Sequence, residues 1–332
     1  MNKVSILVPV YKAERYIEKC VKSLFEQTYS DLEFVFVDDC SPDNSIRLLF
    51  ELLEDYPKRK EQTRIIRNNH NLGAAASKNI AIENATGDFV CFVDSDDWMD
   101  LNAIELLIRR YLETQADVIW GRMALHTKDG ILTLEEPDYK DKLQWLISYI
   151  NEDTGGTLLS NSRRIIRRDL IESNAIRMVE GQNFSEDRLF MNQIAYYAQS
   201  FSIIEETVYH YNKLNEDSQT EKTVGEKDFV EKYNQIIGNY QLIENFFSNK
   251  DKAYYAGAAI AKLKLLKEIM DAALRYPSRR LFNNVIKCIN GTDPEFLYVI
   301  GWDRSKCWRY RHGNYNYRRL LPIVRSFIRI KH

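Results

Sequence analysis

The sequence of 332 residues lacks several features that would assign it directly to a familiar class. Its five cysteines are scattered and odd in number, without a Cys-x-x-Cys pair, which disfavours a disulfide framework and a cysteine-based metal site. No uninterrupted apolar stretch reaches the roughly 18 residues that a transmembrane helix needs. With a formal net charge of -2, the chain is not strongly basic as nucleic-acid-binding proteins are, so we expect no nucleic-acid partner.

Leader and glycine-rich motifs are missing as well. The chain runs directly into the apolar segment 4–10 without a basic stretch or an Ala-x-Ala cleavage site, so we expect no signal peptide and a cytoplasmic location. After this segment stands Tyr11-Lys12, where a dinucleotide dehydrogenase would carry Gly-x-Gly-x-x-Gly. A sugar-phosphate nucleotidyltransferase would carry a glycine-rich loop at the same point. The absence of this loop disfavours that class, which stays an alternative.

Residues 1–120 alternate short apolar segments with amphipathic ones. Strands are predicted at 4–10, 33–37, 64–66, 88–93 and 117–120, and helices at 15–27, 45–55, 74–84 and 102–113. This alternation predicts an α/β fold with right-handed crossovers onto a mostly parallel sheet. Polar segments follow three of the strands, at Tyr11, at 38–41 and at 94–97. Because ligands of such sheets bind at the carboxyl ends of the strands, we expect these segments to converge.

Residues 94–97 read Asp-Ser-Asp-Asp and place three carboxylates close together. Such carboxylates repel one another, and a divalent cation such as Mn²⁺ or Mg²⁺ relieves the repulsion with the oxygen ligands that it prefers. We therefore predict a metal bound by Asp96 and Asp94, with Asp97 the least certain of the three acids. A solvated acidic turn that caps the next helix is the alternative.

Four other residues of this edge have weaker individual signals. Asp39 suits a base N–H and Asp38 a ribose or base, although both acids also precede a good turn and N-cap sequence. Tyr11 offers a ring for packing against a nucleobase. Lys78 lies in a predicted helix of small residues and suits a phosphate or a base, although most helical lysines are simply solvated.

The pattern beyond residue 120 is less regular. Residues 128–130 predict a hairpin turn, residues 163–166 a strand, and residues 185–187 the start of a helix. Two long helices are predicted at 228–247 and 252–274, without a further acidic cluster. We therefore predict an α/β domain at residues 1–220 and a helical C-terminal region at residues 221–332.

Four segments together resemble the family 2 glycosyltransferases, inverting enzymes of bacterial type with the GT-A fold. These segments are residues 4–11, 36–41, 71–79 and 85–98, in the order and spacing of that family. The resemblance continues at residues 186–190 and weakly at 211–218. It implies a Rossmann-like sheet flanked by helices, and a nucleotide-sugar as the donor substrate.

The resemblance also implies roles for individual residues. Asp187 is similar to the catalytic base, with Glu186 beside it touching acceptor or donor sugar, although acids at a helix N-terminus also complement its dipole. Asp96 and Asp94 correspond to the metal-binding acids. The implied nucleotide-sugar site comprises Pro9, Tyr11, Asp38, Asp39, Lys78, Asp94, Ser95, Lys213 and Ser218. Two positions depart from the family, since Lys78 replaces the usual Arg and Cys40 the usual Gly. Both departures weaken the expectation that the donor is an ordinary UDP-sugar.

The predicted reaction moves a sugar from a nucleotide-sugar, most simply UDP-linked, to a hydroxyl of a glycan or lipid-linked saccharide, as in polysaccharide biosynthesis of the cell envelope. A non-catalytic nucleotide-sugar-binding protein is a further alternative. Residues 303–332 hold nine Lys or Arg and one acidic residue, interleaved with aromatic residues. A basic amphipathic helix there predicts peripheral contact with the inner face of the plasma membrane, and a helix docked on the protein is the alternative.

Overall fold

The protein consists of two compact units. The computed structural model describes residues 2–134, 160–182, 184–215, 226–275 and 279–290. Within these residues, the first unit contains the sheet with the helices up to residue 197, and the second contains the helices from residue 226 onward.

A nine-stranded sheet forms the centre of the first unit. Its strands are β1 (Val4–Val10), β2 (Leu32–Asp38), β3 (Thr63–Arg67), β4 (Phe89–Phe92), β5 (Trp98–Met99), β6 (Val118–Thr127), β7 (Gly130–Thr133), β8 (Arg164–Arg167) and β9 (Phe201–Asn212). They lie in the order β3-β2-β1-β4-β8-β6-β9-β5, and β7 pairs with β6. β1 to β4 are all parallel. The apolar residues of β1, β2 and β4 are buried on both faces, as continuous apolar segments predict, whereas Ile65 and Ile66 of β3 are half-buried.

Seven helices join the strands of this unit in the part of the chain that the structure describes. They are α1 (Ile17–Phe25), α2 (Ser45–Asp55), α3 (Pro57–Glu61), α4 (Ala74–Glu83), α5 (Ala103–Thr114), α6 (Arg168–Ser173) and α7 (Asp187–Tyr197). α1 is amphipathic and buries Val21, Leu24 and Phe25. The Phe25 ring meets the edge of the Phe34 ring with the centroids 5.0 Å apart, which ties α1 to β2.

The second half of the sheet differs from the parallel first half. β8 is antiparallel to both β4 and β6, whereas β9 is parallel to β6, so the complete sheet is mixed. Gly121 lets β6 and β9 approach, because a Cβ there would lie 2.7 Å from Val208 Cγ1 and 2.8 Å from the Glu206 carbonyl oxygen. The register between the two strands also shifts on both sides of Arg122. This close approach positions the end of β9, which reaches the candidate site.

The second unit contains three helices among the described residues, α8 (Glu226–Phe247), α9 (Lys252–Arg275) and α10 (Arg279–Asn290). The two helices predicted here are confirmed. A buried ion pair between Lys262 and Glu244 joins α9 to α8. None of the helices described is both long and apolar enough to cross a bilayer. The predicted basic tail at residues 303–332 lies outside the described residues.

Candidate active site

The acidic loop at residues 94–97 follows β4 and is held in place by the end of β9. Asp97 is 1% exposed and accepts hydrogen bonds from the Tyr209 hydroxyl at 2.7 Å and from the Asn212 N–H at 2.8 Å. The Tyr209 oxygen in turn accepts the Asp94 N–H at 3.2 Å. Burial and the neighbouring Asp96 and Asp94 raise the pKa of Asp97 well above its usual value. Asp97 therefore serves as an anchor of the loop.

Asp96 and Asp94 remain as the acids that face the site. The Asn215 side-chain N–H donates to Asp96 Oδ2 at 2.7 Å. Burial raises the pKa of Asp96, and the negative charge of Asp94 adds to this, against the opposing hydrogen bond from Asn215. Asp94 is 36% exposed and so accessible to a ligand. The loop thus presents two carboxylates whose repulsion a bound cation would relieve.

Lys78 connects the acidic loop to the start of α7. Its Nζ lies 3.4 Å from Asp94 Oδ1 and 3.0 Å from Glu186 Oε1, and its side chain is 5% exposed. Glu186 directly precedes α7, after Ser185 in a left-handed conformation with φ of 59°. The structure therefore brings Glu186, which directly precedes the predicted base Asp187, next to the predicted donor loop.

Asp187 is a carboxylate with a pKa suited to proton transfer near neutrality. Burial raises its pKa to about 7, and the charges of Glu186 and Asp94 act in the same direction, while Lys78 opposes them. Such a carboxylate beside other charged groups is a typical candidate for a general base.

Asp39, which is predicted to bind a base N–H, is held by three hydrogen bonds from within the protein. Its Oδ1 accepts from the Asn68 side chain at 2.8 Å and from the Leu72 N–H at 2.7 Å, and its Oδ2 accepts from the Gly73 N–H at 2.9 Å. These bonds fix the loop that leads into α4. Asp39 consequently shapes this edge of the sheet through the Leu72-Gly73 loop.

Asp38 retains an oxygen for a ligand. Its Oδ1 accepts the Ser41 N–H at 2.8 Å. Its buried Oδ2 lies 3.2 Å from Arg67 Nε, but that pair lacks hydrogen-bond geometry, so the oxygen has no hydrogen-bond donor among the described residues. A buried carboxylate oxygen without a donor is costly and marks a position where a ligand N–H or O–H would bind.

Tyr11 and Cys40 lie at the same edge. Tyr11 follows β1, is 39% exposed and has Lys12 Nζ 5.2 Å from its ring centroid. Pro9 is half-buried within β1, opposite Val37 of β2. Cys40 is a free thiol in the left-handed conformation, with φ of 56°, at the position where the resemblance implies glycine.

Beside the acidic loop lies a cluster of rings formed by Trp98, His126 and His210. The Trp98 and His210 rings stack with centroids 5.3 Å apart, and the two histidines meet at 2.9 Å between His126 Nε2 and His210 Nδ1. His210 also contacts Asp100 at 3.0 Å. His210 is therefore part of the scaffold next to the loop.

Some residues of the site were not identified from the sequence. Tyr209, Asn212 and Asn215 hold the acidic loop, yet no spacing rule links them to acids more than 100 positions earlier. The diphosphate candidates of this segment were Lys213 and Ser218. Lys213 is exposed next to Asn212, Ser95 is buried in the acidic loop, and Ser218 lies outside the described residues.

A divalent cation fits the chemistry of this loop, although the structure carries no ready-made cage. Among the described residues, no three His, Cys, Asp or Glu side chains are grouped so as to hold a metal ion. Asp97 is already occupied by Tyr209 and Asn212. Asp94 and Asp96 can supply two hard oxygen ligands, and a cation of the Mg²⁺ type commonly completes its shell with water and substrate phosphates.

Known proteins with similar sequences are glycosyltransferases. The sequence profile described as glycosyl transferase family 2 matches residues 5–209. Glycosyltransferase GlyA of Streptococcus pneumoniae is 36% identical over 120 residues, covering 36% of this chain and 16% of that protein. The poly(ribitol-phosphate) beta-N-acetylglucosaminyltransferase TarS of Staphylococcus aureus is 28% identical over 235 residues, covering 70% of this chain and 39% of TarS. The chain thus spans less than half of either relative.

Solved structures identify the fold. The structure of TarS residues 1–349 in complex with UDP-GlcNAc has a TM-score of 0.67 at 20% identity, covering 93% of this chain and 89% of that chain. The mannosyltransferase PcManGT from Pyrobaculum calidifontis, in complex with GDP-Man and Mn²⁺, has a TM-score of 0.55 at 13% identity, covering 93% and 83%. The sheet with its acidic loop after β4 is accordingly a GT-A fold, as the resemblance implied. With the profile match over residues 5–209, the chain belongs to glycosyl transferase family 2.

Proposed function

We propose that this chain is an inverting glycosyltransferase that moves a sugar from a nucleotide-sugar to an acceptor hydroxyl. The observation that carries the proposal is the buried contact of Lys78 with Asp94 on one side and Glu186 on the other, beside Asp187. It joins a loop suited to a diphosphate and its cation with a carboxylate suited to proton removal. Membership of the family supports the same class of reaction.

The nucleoside would bind at the edge formed by Tyr11 and Asp38. Tyr11 offers a partly exposed ring for the base, and the buried oxygen of Asp38 can accept a hydrogen bond from ribose or base. Asp39 would act by keeping the adjacent loop in place. Pro9 would line the same pocket. Ser95, Lys213 and Ser218 are our candidates for contacts to the diphosphate.

The transfer follows from the positions of the acids. The acceptor oxygen bonds to the anomeric carbon while the bond from that carbon to the diphosphate oxygen breaks, and the diphosphate leaves with the electron pair. Asp187 accepts the proton of the attacking hydroxyl, and Glu186 lies beside it to orient acceptor or donor sugar. The pKa of Asp187, raised to about 7 by burial, lets it hold that proton once the new bond has formed.

The acidic loop would bind a divalent cation, Mn²⁺ or Mg²⁺, through Asp96 and Asp94. When bound, this ion supplies positive charge next to the leaving diphosphate. The hydrogen bonds from Tyr209, Asn212 and Asn215 keep the loop in one shape, so little reorganisation is needed when the donor arrives.

The relatives favour a UDP-linked donor and an acceptor of the cell envelope. TarS is named for the transfer of N-acetylglucosamine to poly(ribitol-phosphate), and its structure holds UDP-GlcNAc. We therefore propose a UDP-linked sugar as donor and a glycan or lipid-linked saccharide as acceptor. The catalytic domain would comprise residues 1–220, and residues 221–332 would form a helical region.

The donor can be identified by thermal unfolding with a panel of UDP-, GDP- and dTDP-sugars, each with and without Mn²⁺. We expect one UDP-sugar to raise Tm only when Mn²⁺ is present. Asp96→Asn should abolish this shift, whereas Asp55→Asn, at an exposed position in α2, should retain it. A shift that persists in Asp96→Asn would contradict the assigned metal site.

Turnover separates the alternatives. Metal-dependent hydrolysis or transfer that is lost in both Asp96→Asn and Asp187→Asn supports the proposal. Binding without any turnover would favour a non-catalytic nucleotide-sugar-binding protein. Formation of a nucleotide-sugar from a nucleoside triphosphate and a sugar phosphate would favour a nucleotidyltransferase.

The proposed location is the cytoplasm, with peripheral contact at the inner face of the plasma membrane through residues 303–332. The nine basic residues of this segment support contact with anionic lipids. Flotation with vesicles that contain anionic lipid tests this, by comparing the full chain with one that ends at Gly301. Equal flotation of the two would refute membrane contact through the tail.

A further inference from the structure

Lys78 is a buried cation between two parts of the site that are distant in sequence. Its Nζ contacts Asp94 at 3.4 Å and Glu186 at 3.0 Å, and its side chain is 5% exposed. Since water is largely excluded, the charge interactions are screened little, and removal of one partner leaves the others uncompensated. The structure thus excludes a solvated role for this lysine.

Helix α4 is shaped to bring Lys78 into this position. Gly73 precedes the helix with φ of 90°, and the small residues Ala75 and Ala76 are buried, so the helix lies close to the sheet. One residue after Lys78, the Asn79 side chain donates to the Met178 carbonyl and accepts the Met178 N–H, both at 2.9 Å. α4 is therefore joined to the region around Glu186 in two places, by the Asn79–Met178 hydrogen bonds and by the Lys78–Glu186 ion pair.

The charges around Lys78 explain why a cation is needed there. The three carboxylates of Asp94, Glu186 and Asp187 surround a single ammonium group. Burial lowers the pKa of Lys78, but Asp94, Glu186 and Asp187 outweigh this and raise it, so the side chain stays charged. Without it, the carboxylates of the loop and of α7 would repel one another.

We infer that Lys78 is a positioning residue that ties the acidic loop to the N-terminus of α7 and so holds Asp187 beside the donor. The catalytic part of this inference rests on the proposed function. Both carboxylate contacts are within the protein, which gives Lys78 a role that differs from the phosphate or base contact expected from the sequence. The bridge itself is a property of the folded chain and can be measured without a substrate.

A double-mutant cycle in thermal unfolding tests the bridge. Lys78→Met, Glu186→Gln and the double variant are compared with the unmodified chain and with Lys58→Met, an exposed lysine of α3 that serves as the matched control. The Tm loss of the double variant should be smaller than the sum of the single losses by about 2–4 °C. Lys78→Arg keeps the positive charge and should restore most of the Tm.

Kinetics with the UDP-sugar found in the thermal panel test the positioning role. In Lys78→Met, kcat should fall by about 100-fold, because a displacement of about 1 Å at the base costs this much. The KM for the donor should change by less than about 3-fold, because Tyr209, Asn212 and Asn215 hold the acidic loop independently of Lys78. Lys78→Arg should recover at least about a tenth of kcat, and Lys58→Met should keep all of it.

The outcomes separate this inference from the proposed function. Additive Tm losses would overturn the bridge, whatever the activity. A coupled pair with unchanged kcat in Lys78→Met would overturn the positioning role, and a KM effect without a kcat effect would make Lys78 a donor-binding residue instead. If the unmodified chain binds and turns over no nucleotide-sugar, the proposed function fails, while the Tm cycle alone still decides whether the bridge exists.

Discussion

Cys40 has a side chain at a position where the backbone favours glycine. Its φ of 56° is left-handed, which costs a residue with a Cβ roughly 1–2 kcal/mol. Cys40→Gly should therefore raise the free energy of unfolding by about 0.5–1 kcal/mol, after allowance for the greater freedom of glycine in the unfolded chain. Urea unfolding measures the difference. Cys40→Ser is the matched control, since it removes the thiol, keeps the Cβ and should leave stability unchanged; equal stability of the two variants would contradict the argument.

Asp187 should make both activity and stability depend on pH. As the proposed base, Asp187 must be ionised to accept a proton, so kcat should rise as pH increases through about 7. For stability the sign is opposite. Its pKa is raised in the folded state, so between about pH 4 and pH 7 the folded chain keeps a proton that the unfolded chain has lost, and stability falls as pH rises.

Asp187→Asn should consequently be inactive but more stable. We expect transfer to fall by at least about 100-fold and the free energy of unfolding at pH 8 to rise by about 1–2 kcal/mol. Paired kinetic and unfolding measurements check both changes. Asp55→Asn, at an exposed site, should alter neither. A destabilised Asp187→Asn would mean that the carboxylate is stabilising and that its pKa is not raised.

The sequence points to the candidate acids of the site, but not to the side chains and N–H groups that hold them. Asp94, Asp96 and Asp187 stand out because they occur together with the other motifs of the family, in its order and spacing. Asp39 was predicted to bind a base N–H, and Asp97 was the least certain acid of its cluster. Both are held by backbone N–H groups and side chains of other segments. Which acid is held by internal hydrogen bonds depends on chain segments that only the folded structure brings together.

At the scale of elements, β9 and the acidic loop form one unit. Tyr209 donates to Asp97 and accepts from the Asp94 N–H, so one hydroxyl holds the loop at two points. Tyr209→Phe should lower the free energy of unfolding by about 1–3 kcal/mol, because the buried Asp97 carboxylate and the part-buried Asp94 N–H both lose a hydrogen-bond partner. It should also reduce the Tm shift caused by the UDP-sugar with Mn²⁺.

A control separates the loop from a general loss of a tyrosine hydroxyl. Tyr29 is part-buried and donates to the Asn2 carbonyl at 2.9 Å, away from the acidic loop. Tyr29→Phe should cost less stability and leave the ligand-induced Tm shift intact. Equal ligand responses of the two variants would show that the Tyr209 hydroxyl does not support the donor loop.

Elements were predicted well where burial alone decides them. β1 to β4 and the intervening helices α1, α2 and α4 have clear apolar patterns, and all appear close to their predicted bounds. β9 was missed because exposed Glu205 and Glu206 interrupt its apolar pattern, and β5 because two residues carry no periodic signal. Their strand conformation comes from pairing with distant partners, at β6 for β9 and at β9 for β5.

At the scale of the whole unit, a stabilising cluster around Glu33 and the candidate active site lie at opposite ends of the parallel strands. Glu33, near the start of β2, accepts from Lys3 at 2.8 Å, from Thr86 and Gly87, and from Ser5 of β1. Burial raises its pKa, but these hydrogen bonds outweigh it and lower the pKa to about 2. The stability that ionised Glu33 contributes to the fold is therefore present above about pH 4.5 and is lost as pH falls toward 2.

Glu33→Gln should lower the free energy of unfolding at pH 7 by about 2 kcal/mol and leave kcat unchanged. The stability difference from the unmodified chain should narrow as pH falls below about 4.5. Unfolding at several pH values and kinetics at pH 7 provide the measurements. Glu54→Gln, at a largely exposed ion pair with Lys60, is the control and should change neither. A large loss of kcat in Glu33→Gln would contradict the separation of the two ends.

The hold of β9 on the acidic loop also sets an order of events during synthesis. Asp97 emerges from the ribosome more than 100 residues before Tyr209 and Asn212, and Asp96 emerges more than 100 residues before Asn215. A nascent chain that stops short of residue 209 has β1 to β4 but none of the three residues that hold the loop. Such long-range closure is slow and comes late in folding. The incomplete chain should therefore not capture the donor, and the enzyme becomes competent only when almost all of its sheet has been made.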